Sequence, residues 1–429
     1  MQEAEVAMGA ERRNHREWLE RWFQAALTAV DPARCLPPML PEPGAGKTVV
    51  VGAGKAAASM AAAVEANWPG PLSGTVIVPY RHAAPTRSIE VREAGHPVPD
   101  EAGVAATQRL LGQLEGLEER DLVLVLLSGG GSALLTAPAP PLTLADKQAT
   151  TRALLRSGAP IDAINTVRRH LSTVKGGRLA LRAHPARVVT LLISDVPGDD
   201  PATIASGPTS PDSSTPEDAR RLLDRYGVPC GTSVAEALDR AQLPPRPDDP
   251  RLRRVSCHVV AGAQAALQAA AQAARAEGMT PLVLGDTIEG EAREVARVLI
   301  GMGRSCRRWG APVPPPCVLL SGGETSVTVR GSGRGGRNTE LALAAALAAE
   351  GIPGFHLLCA DTDGIDGSED NAGAVVDPAS LARARAHGLD PWAYLADNDS
   401  YGLFKAAGGL LHTGPTLTNV NDFRALLIP

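Results

Sequence analysis

The feature that most narrows the fold of this chain is an alternation. Short runs that are apolar at every position, such as KTVVVGAG, GTVIVPY and DLVLVLLSGGG, take turns with longer alanine-rich stretches such as AAASMAAAVEAN. A strand with one wet face alternates apolar and polar residues, whereas a strand covered on both faces is apolar throughout. The pattern therefore predicts parallel sheet flanked by helices, an α/β architecture. It runs through ARVVTLLISDVPGDD, breaks at AQLPPRPDDPRLRR, where proline and charge leave no apolar face, and restarts at VSCHVVAG. At 429 residues the chain exceeds what one core supports. We expect two domains, residues 1–248 and 249–429, each a mainly parallel sheet flanked by helices.

One string occurs twice, once in each half: LLSGGGSALL around Ser128 and LLSGGETSVT around Ser321. Each follows an apolar strand, and ligands of open α/β sheets bind at the carboxyl ends of strands. Ser128, Gly129, Gly130 and Ser132 in one half, and Ser321, Gly322, Gly323 and Glu324 in the other, are therefore candidate binding residues.

The net charge of −5, with no block of lysine or arginine, gives nucleic acid no basic face. A small-molecule partner is expected. MQEAEVAMGAERRNH has no apolar stretch of a signal peptide, and no run approaches the roughly 20 apolar residues of a membrane span, so a cytoplasmic protein is expected. The six cysteines show neither C-x-x-C nor zinc spacing and read as reduced thiols. Trp18, Leu19, Trp22, Phe23, Ala26 and Leu27 form the packing stripe of an N-terminal helix.

The first chemical signal is Gly52-Ala-Gly54 with Lys55, between a strand and a helix. The loop fits G-x-G-x-x-A, but the acid that binds a dinucleotide's ribose about 20 residues later is missing. A lysine beginning a helix opposes the macrodipole. It is either a solvated side chain or a partner of the helix terminus in holding one anion. VRGSGRGGRNTELAL offers a second anion site: Gly331, Gly333, Gly335 and Gly336 permit a phosphate nest, Arg334 and Arg337 add charge, and a helix from Asn338 adds free N–H groups. A flexible surface loop is the plainer alternative.

FHLLCADTDGIDGSEDNAG places Asp361, Asp363, Asp366 and Asp370 after a strand, in a spacing that fails the calcium loop because Ile365 holds a ligand position. Magnesium held by one or two of these carboxylates and by substrate phosphates fits; so does an acidic turn in water. Asp195 follows another strand, and Arg168, Ser172 and Lys175 fall at helical spacing. Near Asn165, they read either as a solvated stripe or as a carboxylate grip. G-x-S-x-G is absent, and His96 and His412 are secondary candidates.

Taken together, GAGKAAASMA, GHPVPD, SGGGSALL, INTVRRHLSTVKGGRLA, ISDVPGDDPATIASGPTSPD, LSGGETSVTVRGSGRGGRNTEL, DTDGIDGSEDNAGAVVD and TGPTLTNVND resemble the class II glycerate 2-kinases, whose C-terminal half is the MOFRL domain. The resemblance covers residue 20 or so to the end. It implies a Rossmann-like N-terminal domain and a MOFRL domain around a cleft, with phosphorylation of D-glycerate by ATP and a divalent cation such as magnesium. The family's lysine falls on Lys55, its arginine on Arg337 and its aspartate on Asp363. With Asp361 the latter would hold the metal, while Lys175 or Arg168 would grip the glycerate carboxylate and Asp195 would orient or deprotonate the hydroxyl. Relatives have also been labelled hydroxypyruvate reductases, so NAD(P)H-dependent reduction is the alternative activity. The family pattern often has glycine where this chain has Leu417. A homodimer is compatible with all of this.

Overall fold

A computed structural model gives the backbone of residues 2–429 and side chains from His15 onward. The chain divides into two compact units: Pro32–Ala261, and the chain up to Asp31 together with Gly262–Pro429.

The first unit is a six-stranded, wholly parallel sheet of β1 (Thr48–Ala53), β2 (Leu72–Pro79), β3 (Ile89–Ala94), β4 (Leu122–Leu127), β5 (Arg187–Ile193) and β6 (Val255–Ala261), in the order β3-β2-β1-β4-β5-β6. Every residue of β1 and β4 is buried, as the unbroken apolar runs require. This is the doubly wound order, in which the chain winds outward in both directions from the β1–β4 pair and leaves a crevice at their carboxyl ends.

Three expectations change here. VSCHVVAG supplies β6 of the first sheet, paired parallel with β5 with one register shift after Leu192, so the units part at residue 261 and not 248. The proline-rich stretch is no free linker: Pro244 and Pro245 are buried, and the Pro245 carbonyl accepts from the Asp212 N–H at 3.0 Å. The N-terminal helix (Gln2–Ala29) belongs to the second unit. Its stripe packs on the helix Ala263–Ala276, the Trp22 indole donates to Glu277 at 2.7 Å, and Phe23 meets Phe423 at 5.4 Å between ring centroids. An amphipathic stripe announces burial but not its partner.

The second sheet contains β7 (Thr280–Gly285), β9 (Cys317–Ser321), β11 (His356–Asp361), β12 (Gly373–Val376), β13 (Leu410–Leu411) and β14 (Asp422–Ile428); β8 (Gly290–Glu291) and β10 (Thr325–Ser326) form a separate pair. Its order is β13-β12-β11-β14-β9-β7, and only β7–β9 is parallel. The expected α/β architecture stands, but this sheet is mixed and not mainly parallel. Two strands run against the rest: β12, antiparallel to β11 and β13, and the last strand, β14, which inserts antiparallel between β9 and β11. An antiparallel strand buried on both faces is as apolar as a parallel one, so composition cannot give its direction. Among the described residues no helix is long and apolar enough to cross a membrane.

Candidate functional site

In the first unit two glycine loops build the crevice at the β1–β4 switch point. β1 turns through Gly54 and Lys55 into the helix Ala57–Asn67, so Lys55 stands just before the first helical turn and not within it. Gly54 has φ +141°, and a β-carbon there would lie 2.2 Å from Ser128 Oγ. Glycine is required both by that conformation and by that approach. The Lys55 N–H donates to the Gly129 carbonyl at 2.8 Å and the Ala56 N–H to Ser128 Oγ at 2.9 Å. Ser128 thus ties the two loops together. A β-carbon on Gly130 would come within 3.1 Å of the His96 ring and 3.6 Å of Lys55 Cγ, which places both side chains at this loop. Gly52 belongs to β1 itself, where a β-carbon would strike the Leu126 carbonyl at 2.1 Å; its role is close packing of strands.

A chain of polar groups continues from the β4 loop. Ser132 Oγ lies 2.7 Å from Ser206 Oγ, Ser206 donates to Asn165 Oδ1 at 2.9 Å, and Arg168 Nη1 reaches the same oxygen at 3.4 Å. Ala205 and Ser206 hold φ of +52° and +62°. Left-handed backbone at non-glycine residues costs energy and clusters at functional sites. Asp195 is partly exposed, two residues beyond β5.

The helix carrying Arg168 ends at His170, so the expected stripe through Ser172 and Lys175 does not exist as one helix face. Lys175 lies in the following turns. It is completely buried, its Nζ donating to the Leu135 carbonyl at 3.2 Å. Burial, with nearby Lys147 and Arg168, pushes its ammonium well below the ordinary lysine range, and burial brings Arg168 down to about 10.

The second unit gathers its charges where β9 and β11 end and β14 begins. Arg337 opens the helix Arg337–Ala348 and donates to three carboxylates: Asp422 at 2.7 Å, Glu324 at 2.5 Å and Asp361 at 2.8 Å. Burial opposes the guanidinium's charge, but Asp422, Asp361 and Glu324 more than offset this and hold Arg337 above the usual arginine range. Asp422 also accepts from Asn338 at 2.7 Å and from the fully buried Arg424 at 2.6 Å. The register explains the meeting: Asp422 pairs with Asp361 across one side of β14, and Arg424 with Ser321 across the other. The Gly322 carbonyl accepts from Arg424 at 2.9 Å, and the Gly323 carbonyl from the Asp422 N–H at 3.1 Å, so this SGGE loop is clamped to the start of β14.

The glycine–arginine loop is not an open anion nest. The N–H groups of Arg330 and Gly331 donate to Asn398, those of Ser332 and Gly333 to Asp397, and that of Arg334 to Asp399. The glycines let this loop lie directly on the Asp397–Asp399 backbone; a β-carbon on Gly333 would sit 2.6 Å from Asp399 N. Gly335, at φ +154°, faces Ser400 in the same way, and a β-carbon on Gly336 would strike Asp366. The helix terminus is occupied too: Asp366, almost fully buried, accepts from the N–H of Asn338 at 2.9 Å and of Thr339 at 2.8 Å. A carboxylate of the chain takes the place expected for phosphate. Arg334 is exposed, lying 5.0 Å over the Tyr401 ring and pairing with Glu369.

Sequence reasoning missed Asp422, Arg424 and the capping role of Asp366. Asp422 closes the string TGPTLTNVND, which assigns it no role, and the rest of its strand, FRALLI, which carries Arg424, gives no motif.

No group of three metal-ligating side chains occurs among the described residues. Asp361 and Asp363 are both buried; the Asp363 N–H donates to Asp361 Oδ1 at 3.1 Å, and Asp363 Oδ1 accepts from the Ile365 N–H at 2.8 Å. Asp361, Asp422 and Glu324 share Arg337 and Asp422 also takes Arg424, while Asp363 joins them through its N–H bond to Asp361, so four carboxylates are set against two guanidiniums. That excess of negative charge fits a divalent cation taking most of its ligands from phosphate and water.

Residues 18–239 match a domain of unknown function, DUF4147, and residues 317–422 match the MOFRL family. A protein of Agrobacterium vitis bearing a provisional hydroxypyruvate reductase name is 51% identical over 96% of this chain and 94% of its own length. The D-glycerate 2-kinase of Thermotoga maritima is 44% identical, covering 92% of this chain and 94% of its own. The crystal structure of glycerate kinase from Thermotoga maritima superposes with a TM-score of 0.87 at 41% identity, over 97% of this chain and all of that one.

Proposed function

This chain belongs to the class II glycerate 2-kinase (MOFRL) family, and from that premise we propose that it transfers the γ-phosphoryl group of ATP to the 2-hydroxyl of D-glycerate, giving 2-phosphoglycerate and ADP. Phosphoryl transfer asks for positioned charge more than for covalent work. The two units supply opposite charge for it. The first offers Lys55 at the switch point and the cations Arg168 and Lys175, which suit an anion. The second offers an acidic cluster that accepts a nucleotide only as its metal complex.

In this reading Lys55 stabilises charge on the moving phosphoryl group. Arg168 and Lys175 hold the acceptor carboxylate, and Asp195 orients the 2-hydroxyl or takes its proton. A divalent cation arriving with ATP would be held by Asp361 and Asp363 and would neutralise phosphate charge. Arg337 fixes Asp361, Asp422 and Glu324 around it. Cys306, Cys317 and Cys359, buried and outside any disulfide, suit a reducing cytoplasm.

The observation that carries the reading against dinucleotide binding is the state of the glycine turn. A bound pyrophosphate takes the N–H groups of that turn, yet those of Lys55 and Ala56 are already given to Gly129 and Ser128. Past the end of β2, where the ribose-binding acid belongs, the chain has Tyr80 and Arg81. Incubation of the purified protein with ATP, magnesium and D-glycerate should release ADP and 2-phosphoglycerate. Oxidation of NADH by hydroxypyruvate without any ADP release from ATP and glycerate would overturn the assignment.

A further inference from the structure

Cations buried in this fold generally keep a carboxylate. Arg169 pairs with Asp212 at 3.2 Å, Arg293 with Glu340 at 2.6 Å, and Arg424 with Asp422 at 2.6 Å. One group in the first unit breaks the rule. Lys147, on the helix Leu144–Arg156, is 5% exposed, and Lys175 is fully buried. Together with Arg168 they draw on three separate segments, and among the described residues no carboxylate pairs with any of them. The protein gives Lys175 a carbonyl oxygen and Arg168 one long hydrogen bond to Asn165. Among the described residues Lys147 Nζ has no hydrogen-bond partner, and the residue keeps 5% of its surface exposed.

Buried charges without counter-charges are costly. A lysine can bury its stem and leave its head in water, but that accounts for one such residue, not for three that repel one another. Burial first, and Arg168 second, lower Lys147 to about 8. An anion of the right size would remove the cost.

We propose that Lys147, with Arg168 and Lys175, forms the pocket that binds the acceptor's carboxylate, and that Lys147 is a residue restricting the enzyme to hydroxy acids. The neighbouring chain Arg168–Asn165–Ser206–Ser132 offers amide and hydroxyl partners beside the cations. A small polyhydroxy acid presents a matching pair of features, a carboxylate for the charges and hydroxyls for that chain. The identity of the acceptor rests on the kinase reading; the anion pocket itself does not.

The test uses the full-length protein and the variants Lys147→Met and Lys147→Arg. Titration calorimetry with D-glycerate, without nucleotide, should show affinity falling about 10- to 100-fold in Lys147→Met, as loss of a charge-assisted hydrogen bond does. Lys147→Arg should recover part of it. The KM for D-glycerate should rise in parallel, with the KM for ATP unchanged, and sulfate should compete with D-glycerate in the wild type. Unchanged glycerate affinity in Lys147→Met would overturn the proposal, as would a rise in the ATP KM in place of the glycerate KM, which would mark a nucleotide phosphate site. Should Lys147→Met not fold, Lys147→Gln answers the same question. A wild-type protein that binds D-glycerate through Lys147 but releases no ADP would sink the kinase reading and support the pocket.

Discussion

Replacing Arg337 with alanine removes the group that Asp361, Asp422 and Glu324 share. Glu324 is half exposed, and its pair contributes about 0–1 kcal/mol at most. Asp361 and Asp422 have side chains 6% and 0% exposed, so water cannot take over for them. Removing one partner of a buried pair typically costs about 3–5 kcal/mol, because the remaining charge is stranded. Asp422 keeps Arg424, which holds the expected loss toward the lower end of that range. Urea unfolding followed by tryptophan fluorescence suits the question, since four of the five tryptophans (Trp18, Trp22, Trp309 and Trp392) lie in the second unit and Trp68 in the first. Arg337→Ala should lower the unfolding free energy of that unit by about 3 kcal/mol, moving its transition to lower urea, and kcat should fall by about two powers of ten or more. Adding Asp361→Asn should restore part of the stability without restoring activity, giving a coupling energy of about 1–3 kcal/mol. Wild-type stability in Arg337→Ala, or strict additivity in the double variant, would refute the idea that Arg337 holds these carboxylates in place.

Lys55→Ala should also lower kcat by about two powers of ten, but with an unchanged unfolding midpoint, because its loop is tied by backbone bonds to Gly129 and Ser128; normal turnover would remove Lys55 from the site. Leu417 sits at φ +61°, a left-handed conformation that glycine adopts without steric cost. Leu417→Gly should relieve about 1–2 kcal/mol of backbone strain, less the entropy glycine loses, for a net gain of a few tenths to about 1 kcal/mol; a drop in stability would mean that the leucine side chain outweighs the strain.

Lys147 in the ligand-free protein titrates near 8 and not at its ordinary 10.5, with burial the larger cause and Arg168 the second. The unfolded chain therefore binds more protons between those values, and stability attributable to this residue must rise with pH across that window. Lys147→Met should be more stable than wild type at pH 7 by up to about 3 kcal/mol, with the gap narrowing toward pH 10; a gap that is absent or independent of pH would contradict the burial of a charged ammonium.

Much of the first unit was legible because its determinants are local. Apolar runs and glycine turns fixed the strands β1, β2, β4 and β5, and the strand–loop–helix pattern placed Lys55 and Ser128 at strand ends. The β-carbon clash at Gly54 shows why the glycine is needed, but the sequence already marked the position. The double LLSGG string likewise ends one strand in each sheet.

What the sequence could not show depends on partners distant along the chain. The DFRALLI strand lies beside two strands that end 61 and 101 residues earlier, and its antiparallel entry sets Asp422 beside Arg337. The arginine-rich glycine loop looked like a phosphate nest because its composition permits one; Asp397, Asn398, Asp399 and Asp366 consume its donors instead. Lys147 stood in a polar helix segment, LADKQATTRALLR, and only tertiary packing, in which that helix meets the one carrying Arg168, buries it. Periodicity and turn chemistry act over a few residues and are written in the local sequence. Which carboxylate meets which cation is decided by strand order and register, where the free energy of burying charge depends on neighbours that folding alone brings close.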